Sequence, residues 1–246
     1  MNTNIFAHRG ASGYAPENTM PAFQLAYEQG ANGIETDVQL SKDGVPVLIH
    51  DETLKRTTNG TGYVKDYTVE ELKQLDAGKW FSPKYAGITI VTLEQFLQWG
   101  KSKNLLFNIE LKNDTINYEK LEQTVYDAVL KYNLLDQTIF STFNAKSVER
   151  MNQIDPHAEV AFLTSSNKRH LLKDVINMGG NALHIHYRLL TERLVKKCKD
   201  LHIPLRVYTI NRPQQMKRCY KLQCDGIFTD YPDIALTERK AFQSNE

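Results

Sequence analysis

The chain alternates short apolar runs with longer segments in which apolar residues recur every three or four positions. The short runs predict strands, and the longer segments predict amphipathic helices. The predicted strands cover 4–8, 33–40, 45–50, 105–112, 138–143, 159–163, 182–185, 205–210 and 226–230. The predicted helices cover 20–29, 92–99, 118–132, 145–154, 168–177, 191–201 and 213–220. After the last strand we expect only a short polar segment.

The two strands that follow the first helix are expected to form a hairpin. The Asp-Gly pair at 43–44 lies between them and is a strong turn signal. If the turn places Leu40 opposite Val45, then His50 lies opposite Glu35 on the same face of the sheet. The hairpin therefore predicts that an imidazole and a carboxylate share one small patch.

Two carboxylates in this hairpin, Glu35 and Asp37, are two residues apart and project from one face of their strand. Their mutual repulsion costs free energy unless a cation lies between them, and a divalent metal would meet that need. The alternative is an exposed hairpin with a polar face, which is common in antiparallel sheets.

The order of elements predicts a (β/α)8 TIM barrel. With the hairpin counted as an elaboration of one strand, eight strands alternate with helices over about 250 residues, the usual size of this fold. The irregular segment at about 51–87 is expected to be a small insertion after the second strand, within a single domain spanning 1–246. We expect the insertion to lie over the barrel mouth. A doubly wound sheet is the alternative, but no glycine-rich dinucleotide turn follows the first strand.

Composition narrows the class of protein. The 246 residues are 41% hydrophobic and 24% charged, and the net charge of +1 gives no indication of nucleic acid or of an anionic membrane as a partner. No apolar run is long enough for stable membrane insertion, and the N-terminus lacks the pattern of a signal peptide. Three cysteines without zinc-ligand spacing (Cys198, Cys219 and Cys224) are expected to be buried or idle thiols. A reducing cytoplasm fits this composition best.

The working residues of such a barrel lie at the C-terminal ends of its strands. An inert barrel would not need ionisable groups at nearly every one of these ends. The residues at the predicted ends are His8, Arg9, Glu35, Asp37, Glu110, Lys112, Ser141, Phe143, His184, His186, Tyr208, Asn211 and Asp230.

The acidic residues among them are suited to a metal. Glu110 could join Glu35 and Asp37, and three carboxylates form an oxygen-rich site that prefers Mg²⁺ or Ca²⁺ to zinc. Arg9 offers a planar fork of donors that matches phosphate oxygens, and Lys112 adds a point charge. Glu110 and Lys112 could instead form an ordinary ion pair.

Histidines complete the set. His8 and His50 can supply an acid and a base near neutral pH, although a single histidine is more often a structural hydrogen-bonding group. His184 and His186 form an HxH pair, of which one could line the pocket. A metal, a phosphate clamp and paired histidines together describe the cleavage of a phosphoryl ester.

Five segments carry a resemblance to a known family. They are AHRGASGYAPENT, IETDVQL, PVLIHDETLKRTTNGTG, NIELK and GIFTDYPD, in this order along nearly the whole chain. In these segments the chain resembles the glycerophosphodiester phosphodiesterases. The resemblance implies a (β/α)8 barrel with a small insertion after the second strand.

The resemblance also implies roles for individual residues. His8 and His50 match the catalytic histidines. The implied metal ligands are Glu35, Asp37 and Glu110. Arg9 and Lys112 match the phosphate-contacting cations. From their positions at strand ends, Phe143 and Tyr208 are also expected to bind substrate. The chain has Val207-Tyr208-Thr209 where many members carry a Val-Trp-Thr segment, so the pocket wall is expected to differ.

The expected function is that of a cytoplasmic hydrolase that uses one divalent cation, Mg²⁺ or Ca²⁺. Its substrate would be a small-molecule glycerophosphodiester, cleaved to sn-glycerol 3-phosphate and an alcohol. Two alternatives stay open: a lysophospholipase D acting on lysophospholipids, and a catalytically silent barrel that binds a phosphodiester or a partner protein. The sequence leaves the oligomeric state open, a homodimer included.

Overall fold

The computed structural model describes residues 3–244 and consists of a barrel of strands surrounded by helices. The strands are β1 (Asn4–His8), β2 (Gly33–Leu40), β3 (Pro46–Leu48), β4 (Leu106–Leu111), β5 (Thr138–Thr142), β6 (Glu159–Thr164), β7 (Ala182–His186), β8 (Leu205–Tyr208) and β9 (Gly226–Thr229). All but β3 are parallel, in the order β1-β2-β4-β5-β6-β7-β8-β9, and β9 pairs with β1 to close the ring. The predicted TIM barrel is therefore confirmed.

Helices connect the barrel strands along the chain. They are α1 (Met20–Glu28), α2 (Val69–Leu72), α3 (Leu93–Gly100), α4 (Leu121–Lys131), α5 (Ala145–Ile154), α6 (Leu171–Asn177), α7 (Glu192–Asp200), α8 (Pro213–Lys221) and α9 (Pro232–Gln243). Capping explains where several of them begin. The Thr92 side chain accepts from the backbone N–H of Gln95, and Gln95 returns a bond to the Thr92 backbone. Among residues 3–244, none of the helices has the length and apolar composition needed to span a bilayer.

The C-terminal segment is a correction to the sequence prediction. Residues after β9 form α9, a helix of 12 residues, instead of a polar tail. Pro232 occupies its first turn, where a missing backbone N–H costs nothing. Pro232 and Ala235 are buried, and Phe242 packs against the main core. The polar residues that suggested a tail lie on the outer face of this helix.

The hairpin register is a second correction. β3 is shorter than predicted, and Leu40 pairs with Pro46 instead of Val45. The reason is the turn: the Ser41 backbone N–H bonds to the Val45 carbonyl at 3.0 Å, so that Ser41 and Val45 already face each other. Gly44, with φ +77°, supplies the left-handed residue that this shorter loop needs. His50 consequently lies beyond the end of β3, in an irregular segment.

Packing divides the interior into separate clusters. The largest lies between the barrel and the helices, as expected for this fold. A second fills part of the barrel interior, where the rings of Phe6 and Phe228 are 5.3 Å apart between centroids. Aromatic side chains therefore fill space inside the barrel, and Phe228 also reaches the cavity described below.

The segment 51–87 has a small apolar core that it shares with the hairpin. The buried members are Val47, Ile49, Leu54, Val64, Leu72, Ala77 and Ile90. Trp80 is 40% exposed and packs edge to face against Phe81 at the surface. The Tyr85 hydroxyl donates to the Tyr14 carbonyl at 3.0 Å, which fastens this segment to the loop after β1.

Candidate active site

Three carboxylates converge at the C-terminal ends of β2 and β4. Asp37 pairs in register with Glu110, and Glu35 lies two residues before Asp37 on the same strand. One oxygen from each of the three lies within 4.8 Å of the others. Glu35 and Asp37 are buried, at 4% and 0% exposure. The structure thus brings together the three residues that the sequence proposed as metal ligands.

Electrostatics within this acidic cluster favour a cation. Burial raises the pKa of Glu35 well above its ordinary value, and the negative charges of Asp37 and Glu110 raise it further. Burial would also raise the pKa of Asp37, but the charges of Arg9, His50 and Lys112 outweigh it and lower the pKa. The Asp37 Oδ1 atom is buried and has no hydrogen-bond partner among residues 3–244. An unpaired buried carboxylate oxygen beside two further carboxylates fits a hard divalent cation.

Arg9 is held against the acidic cluster by three contacts. Its backbone N–H donates to Glu35 at 2.9 Å, and its guanidinium reaches Glu17 at 2.8 Å and Asp37 at 3.1 Å. These carboxylates raise the pKa of Arg9 despite burial, so the side chain stays charged. Arg9 itself has a positive φ of 58°. This left-handed turn directs the side chain back toward the carboxylates.

Gly10 explains how the loop after β1 lies so close to α1. A Cβ atom at this position would be 2.6 Å from the backbone of Ala22, and the φ of Gly10 is +83°. Both the close approach and the backbone conformation therefore require glycine. The glycine allows the His8-Arg9 segment to bend into the barrel mouth.

His8 is oriented by Asp230, which directly follows β9. The distance from His8 Nδ1 to the Asp230 carboxylate is 2.7 Å. Asp230 also accepts from the Ser12 hydroxyl at 3.0 Å and from the Asn211 amide at 2.6 Å. Burial would raise the pKa of Asp230, but these bonds and the His8 ring lower it. Since an ionised carboxylate only accepts, Nδ1 carries the proton and Nε2 is available to a ligand.

His50 has an equivalent arrangement on the opposite side. Its Nδ1 atom is 2.7 Å from Asp51. Arg56 binds the same carboxylate through Nε at 2.7 Å and through Nη2 at 2.9 Å, and this lowers the pKa of Asp51 to about 2. The remaining face of the Arg56 guanidinium binds Glu17. A carboxylate therefore fixes the tautomer of each histidine.

A buried glutamine positions the irregular segment that carries His50. The Gln39 side-chain nitrogen is 2.7 to 3.1 Å from the carbonyl oxygens of Ile49, His50 and Asp51. The Gln39 side-chain oxygen accepts from the Tyr118 hydroxyl at 3.1 Å. These bonds replace the strand pairing that the sequence predicted for His50.

Lys112 completes the charged part of the site. Its Nζ atom is 2.9 Å from the Glu110 carboxylate, and its side chain is 8% exposed. Burial alone would lower the pKa of Lys112, but Glu110 and Asp37 raise it overall. On the same strand, Asn108 donates to the Ser141 hydroxyl at 2.9 Å, while its own amide oxygen has no partner within residues 3–244.

A cavity of about 310 Å³ opens between these groups at the C-terminal end of the barrel. Its apolar wall includes Phe143 and Tyr208, whose rings are 6.1 Å apart, and His186 packs against the other side of Tyr208. The Tyr208 hydroxyl is buried without a hydrogen-bond partner among the described residues. The lining residues are His8, Arg9, Glu35, His50, Asn108, Glu110, Phe143, Leu163, His184, His186, Tyr208, Thr209 and Phe228.

The insertion contributes nothing to this lining. No residue of 51–87 is among the described residues that line the cavity. The expectation that the insertion lies over the barrel mouth stays a prediction. Its contact with the site is indirect and runs through Asp51 and Arg56, which hold His50 and Glu17.

The two histidines of the HxH pair have different surroundings. His186 lies at the rim of the cavity, whereas His184 is fully buried at its base. The His184 Nε2 atom is 3.3 Å from Arg206 Nη1. Burial lowers the pKa of His184 well below its ordinary value, and Arg206 lowers it further, so the ring is neutral. Neither histidine belongs to the acidic cluster.

Several supporting residues were not assigned roles from the sequence. They are Glu17, Asn18, Gln39, Asp51 and Arg56. Asn18 donates to the Asp37 carboxylate at 2.9 Å and accepts from the Thr36 hydroxyl at 2.7 Å. One feature of the sequence could have indicated them. All five lie within the motifs AHRGASGYAPENT, IETDVQL and PVLIHDETLKRTTNGTG.

The fold and the cavity together define a class of protein: a TIM-barrel enzyme with an acidic cluster, two oriented histidines and two cationic side chains at its mouth. The model of the glycerophosphoryl diester phosphodiesterase family matches residues 8–234. The chain belongs to this family and is a phosphoric diester hydrolase.

The chain is similar to individual relatives over nearly its whole length. A glycerophosphodiester phosphodiesterase of Caldanaerobacter subterraneus subsp. tengcongensis is 41% identical over 236 residues, which cover 96% of this chain and 97% of the relative. An uncharacterized protein of Bacillus subtilis, YqiK, is 44% identical over 95% of this chain and 97% of its own length. The structure of an Oleispira antarctica phosphodiesterase, in complex with the product sn-glycerol-3-phosphate, has a TM-score of 0.87 and 31% identity and covers 97% of each chain.

Proposed function

We propose that this protein hydrolyses glycerophosphodiesters to sn-glycerol 3-phosphate and an alcohol, with a divalent cation and two histidines. The observation that carries the proposal is that His8 and His50 line one cavity with Glu35 and Glu110, while Asp230 and Asp51 hold their Nδ1 atoms. The sn-glycerol-3-phosphate bound to the Oleispira antarctica relative supports the substrate class.

Glu35, Asp37 and Glu110 would hold the cation. Their spacing of at most 4.8 Å and the unpaired Asp37 oxygen fit Mg²⁺ or Ca²⁺. When bound, such an ion supplies Lewis acidity toward phosphate and hydroxyl oxygens. Binding of the cation would also relieve the mutual repulsion of the three carboxylates before substrate enters.

The two cationic side chains would bind the phosphate group. Arg9 is partly buried and Lys112 is buried beside the acidic cluster, and both stay charged because the carboxylates raise their pKa values. Arg9 would contribute donors that Glu17 and Asp37 do not use, and Lys112 a point charge. Together they would hold the phosphate oxygens and offset the charge that develops during attack.

His8 and His50 would act as general acid and general base. Each presents Nε2 to a ligand because a carboxylate occupies its Nδ1. One imidazole would take a proton from the attacking hydroxyl, and the other would give a proton to the leaving alcohol. In a second step the two would exchange roles, which a pair of equivalent histidines allows.

The nucleophile is proposed to be the 2-hydroxyl of the substrate's own glycerol. This route forms a five-membered cyclic phosphate and releases the alcohol, and water then opens the ring to sn-glycerol 3-phosphate. Intramolecular attack has the advantage of proximity without a protein nucleophile. Direct attack by water on phosphorus is the alternative. Ser141 is not a competing nucleophile, because it is fully buried and is not among the described residues that line the cavity.

The aromatic wall would accommodate the leaving alcohol. Phe143, Tyr208 and His186 lie on the side of the cavity formed by β5, β7 and β8. The unpaired Tyr208 hydroxyl is a donor for a substrate oxygen. Tyrosine at this position, instead of tryptophan, leaves room for a larger or more polar alcohol.

Product analysis over a panel of glycerophosphodiesters tests this proposal. Glycerophosphocholine, glycerophosphoethanolamine and glycerophosphoglycerol are compared with lysophospholipids that carry a long acyl chain, each with and without a chelator. We expect sn-glycerol 3-phosphate and the free alcohol from the first three, with activity lost on chelation. Release of lysophosphatidic acid as the main product would favour a lysophospholipase D instead. A protein that binds the diesters without turnover would be a silent barrel.

A further inference from the structure

A groove between α6 and α7 lies beside the catalytic cavity and has a volume of about 780 Å³. The two sites meet at a short turn, Tyr187–Leu189, that follows β7. His186 lines the cavity and Arg188 lines the groove, and the Arg188 backbone N–H donates to His186 Nδ1 at 3.2 Å. Burial raises the pKa of Tyr208, and the charge of Arg188 acts against that rise. The charge of Arg188, which lines the groove, therefore acts on the cavity wall.

Positive charge dominates the groove, although the chain as a whole carries a net charge of only +1. The acidic residue in the lining is Asp200, which forms an ion pair with Lys196 at 2.9 Å. The cationic residues in the lining are Lys168, Arg169, Lys173, Arg188, Arg193 and Lys197. Six cationic residues and one acidic residue make the groove a local concentration of positive charge, which the composition of the whole chain does not reveal.

None of these six cations forms an ion pair with a carboxylate in the part of the chain that the structure describes. Arg188 donates instead to the Ser165 carbonyl, from Nε at 3.1 Å and Nη2 at 2.6 Å. A neutral acceptor fixes the side chain but leaves its charge uncompensated. Lys168 lies 5.8 Å from the centroid of the Phe162 ring, which is also a neutral partner.

The shape of the groove indicates a compact ligand. Leu171 and Leu172, buried at 7% and 8% exposure, close its base against the barrel. Cations approach from both walls, with Lys173 on α6 and Arg193 on α7. A bilayer surface is flat and does not enter a concave groove between two helices, whereas a small polyanion does. Clefts lined by charge of one sign focus the field and concentrate counter-ions.

We propose that this groove binds a multiply phosphorylated small molecule. Several phosphate groups would relieve the repulsion among cations that no carboxylate offsets. The phosphates could belong to a substrate that extends from the cavity past Arg188, or to a separate ligand. The chemistry of recognition is the same in both cases, and the experiments below distinguish the two sources.

The first experiment titrates inorganic tripolyphosphate into the full-length protein without added metal, followed by calorimetry. We expect saturable binding that weakens as salt is raised, because screening reduces charge attraction. The groove variant Arg169→Glu, Lys173→Glu and Arg193→Glu should bind at least about tenfold more weakly. The matched control, Lys101→Glu, Lys146→Glu and Lys221→Glu, changes net charge equally at exposed positions elsewhere and should bind like wild type.

Four results would overturn the proposal. One is unchanged binding in the groove variant. Another is an equal loss in the control variant, which would mean that net charge alone attracts the ion. The third is loss of binding in Arg9→Gln with the groove intact, which would place the ion in the catalytic cavity. Capture by phosphatidylglycerol vesicles without tripolyphosphate binding would also overturn it, in favour of a membrane surface.

The second experiment identifies the source of the phosphates and is the part that rests on the proposed function. A glycerophosphodiester whose alcohol carries a phosphate monoester is compared with glycerophosphocholine. If the extra phosphate belongs to the substrate, the groove variant raises KM for the phosphorylated diester alone. If KM is unchanged for both while tripolyphosphate binding is lost, the ligand is separate. Either result supports a phosphate-binding site in the groove. The tripolyphosphate titration still tests that site if neither diester is cleaved.

Discussion

Arg56 and Glu17, 39 residues apart in the chain, form a two-point ion pair, with Nη1–Oε2 at 2.6 Å and Nη2–Oε1 at 2.8 Å. Arg56 also binds Asp51, which holds His50, and Glu17 also binds Arg9. One continuous set of ion pairs therefore runs from a proposed acid–base residue to a proposed phosphate-binding residue. Because both ends depend on it, the position of Arg56 matters to a cavity that Arg56 does not itself line.

The first prediction is that Arg56→Lys lowers kcat by about ten- to a hundredfold with a smaller change in KM. Lysine keeps the charge but offers no planar fork to span two carboxylates. The melting temperature should change little, because the Arg56 side chain is 42% exposed and such ion pairs contribute little to stability. Steady-state kinetics and thermal unfolding measure both effects. The neighbouring Lys55→Ala serves as control. Wild-type kinetics for Arg56→Lys would show that Arg56 does not position the catalytic groups.

The second prediction concerns the acidic cluster. Glu110→Gln keeps the shape and a hydrogen bond to Lys112 but removes one of three charged oxygen ligands. We expect a folded protein whose dissociation constants for Mg²⁺ and Ca²⁺ rise at least about tenfold. Isothermal titration measures the affinity directly, and the exposed Glu119→Gln is the control. Full activity of the wild type after exhaustive chelation would show that the metal assignment is wrong.

The third prediction concerns Arg9. Arg9→Lys retains positive charge beside Asp37 and Glu17 but loses the fork that can bind two phosphate oxygens together. We expect a fall in kcat/KM of about tenfold or more, since each ~1.4 kcal/mol of lost transition-state stabilisation is worth that factor. Kinetics with glycerophosphocholine measure it. If the variant works as well as wild type, Arg9 serves only to hold the acidic residues.

The fourth prediction separates the two proposed routes of attack. A diester that lacks the glycerol 2-hydroxyl should bind but not turn over, because the nucleophile is absent. The measurements are its inhibition constant against glycerophosphocholine and its own rate of hydrolysis. A second sign of the cyclic route is a transient cyclic glycerophosphate in phosphorus NMR. Hydrolysis of the 2-deoxy compound at nearly the parent's rate would establish direct attack by water.

The fifth prediction concerns pH and His184. In the folded protein, burial and Arg206 lower the pKa of His184 well below its ordinary value of 6.5. Unfolding exposes the ring, which then takes up a proton below pH 6.5. The free energy of unfolding should therefore fall as pH decreases below 6.5, by about 1.4 kcal/mol per pH unit from this group.

His184→Gln provides the test, since glutamine does not titrate and can still accept from Arg206. Between pH 7.5 and 5.5, denaturant unfolding should show that wild type loses about 1.4 kcal/mol more than the variant. The exposed His170→Gln should lose as much as wild type. Parallel pH profiles for wild type and His184→Gln would contradict the lowered pKa.

The sequence was sufficient for the barrel and for the residues at its strand ends. Alternation predicted β2 with its exact bounds, and Glu35, Asp37 and Glu110 could be placed together because neighbouring parallel strands end at the same edge. Local patterns determine which residues a strand exposes at its end, so these positions could be inferred without knowing the rest of the fold.

The partners of those residues could not be inferred. The bond between Arg56 and Glu17 joins loops whose paths depend on the whole insertion, and Gln39 holds His50 through backbone carbonyls that any residue could supply. The predicted hairpin register was wrong for a local reason, because Ser41 pairs with Val45 and shortens the loop. The final helix was missed because its polar outer face hid the short buried stripe at Pro232 and Ala235.

The bond between His8 and Asp230 joins positions 222 residues apart, at the two strands that close the barrel. During synthesis the proposed acid–base residue is therefore made well before the carboxylate that orients it. A nascent chain still on the ribosome therefore has a histidine in place but no means of fixing its tautomer. Catalytic competence should arise abruptly, once β9 has emerged and inserted between β8 and β1.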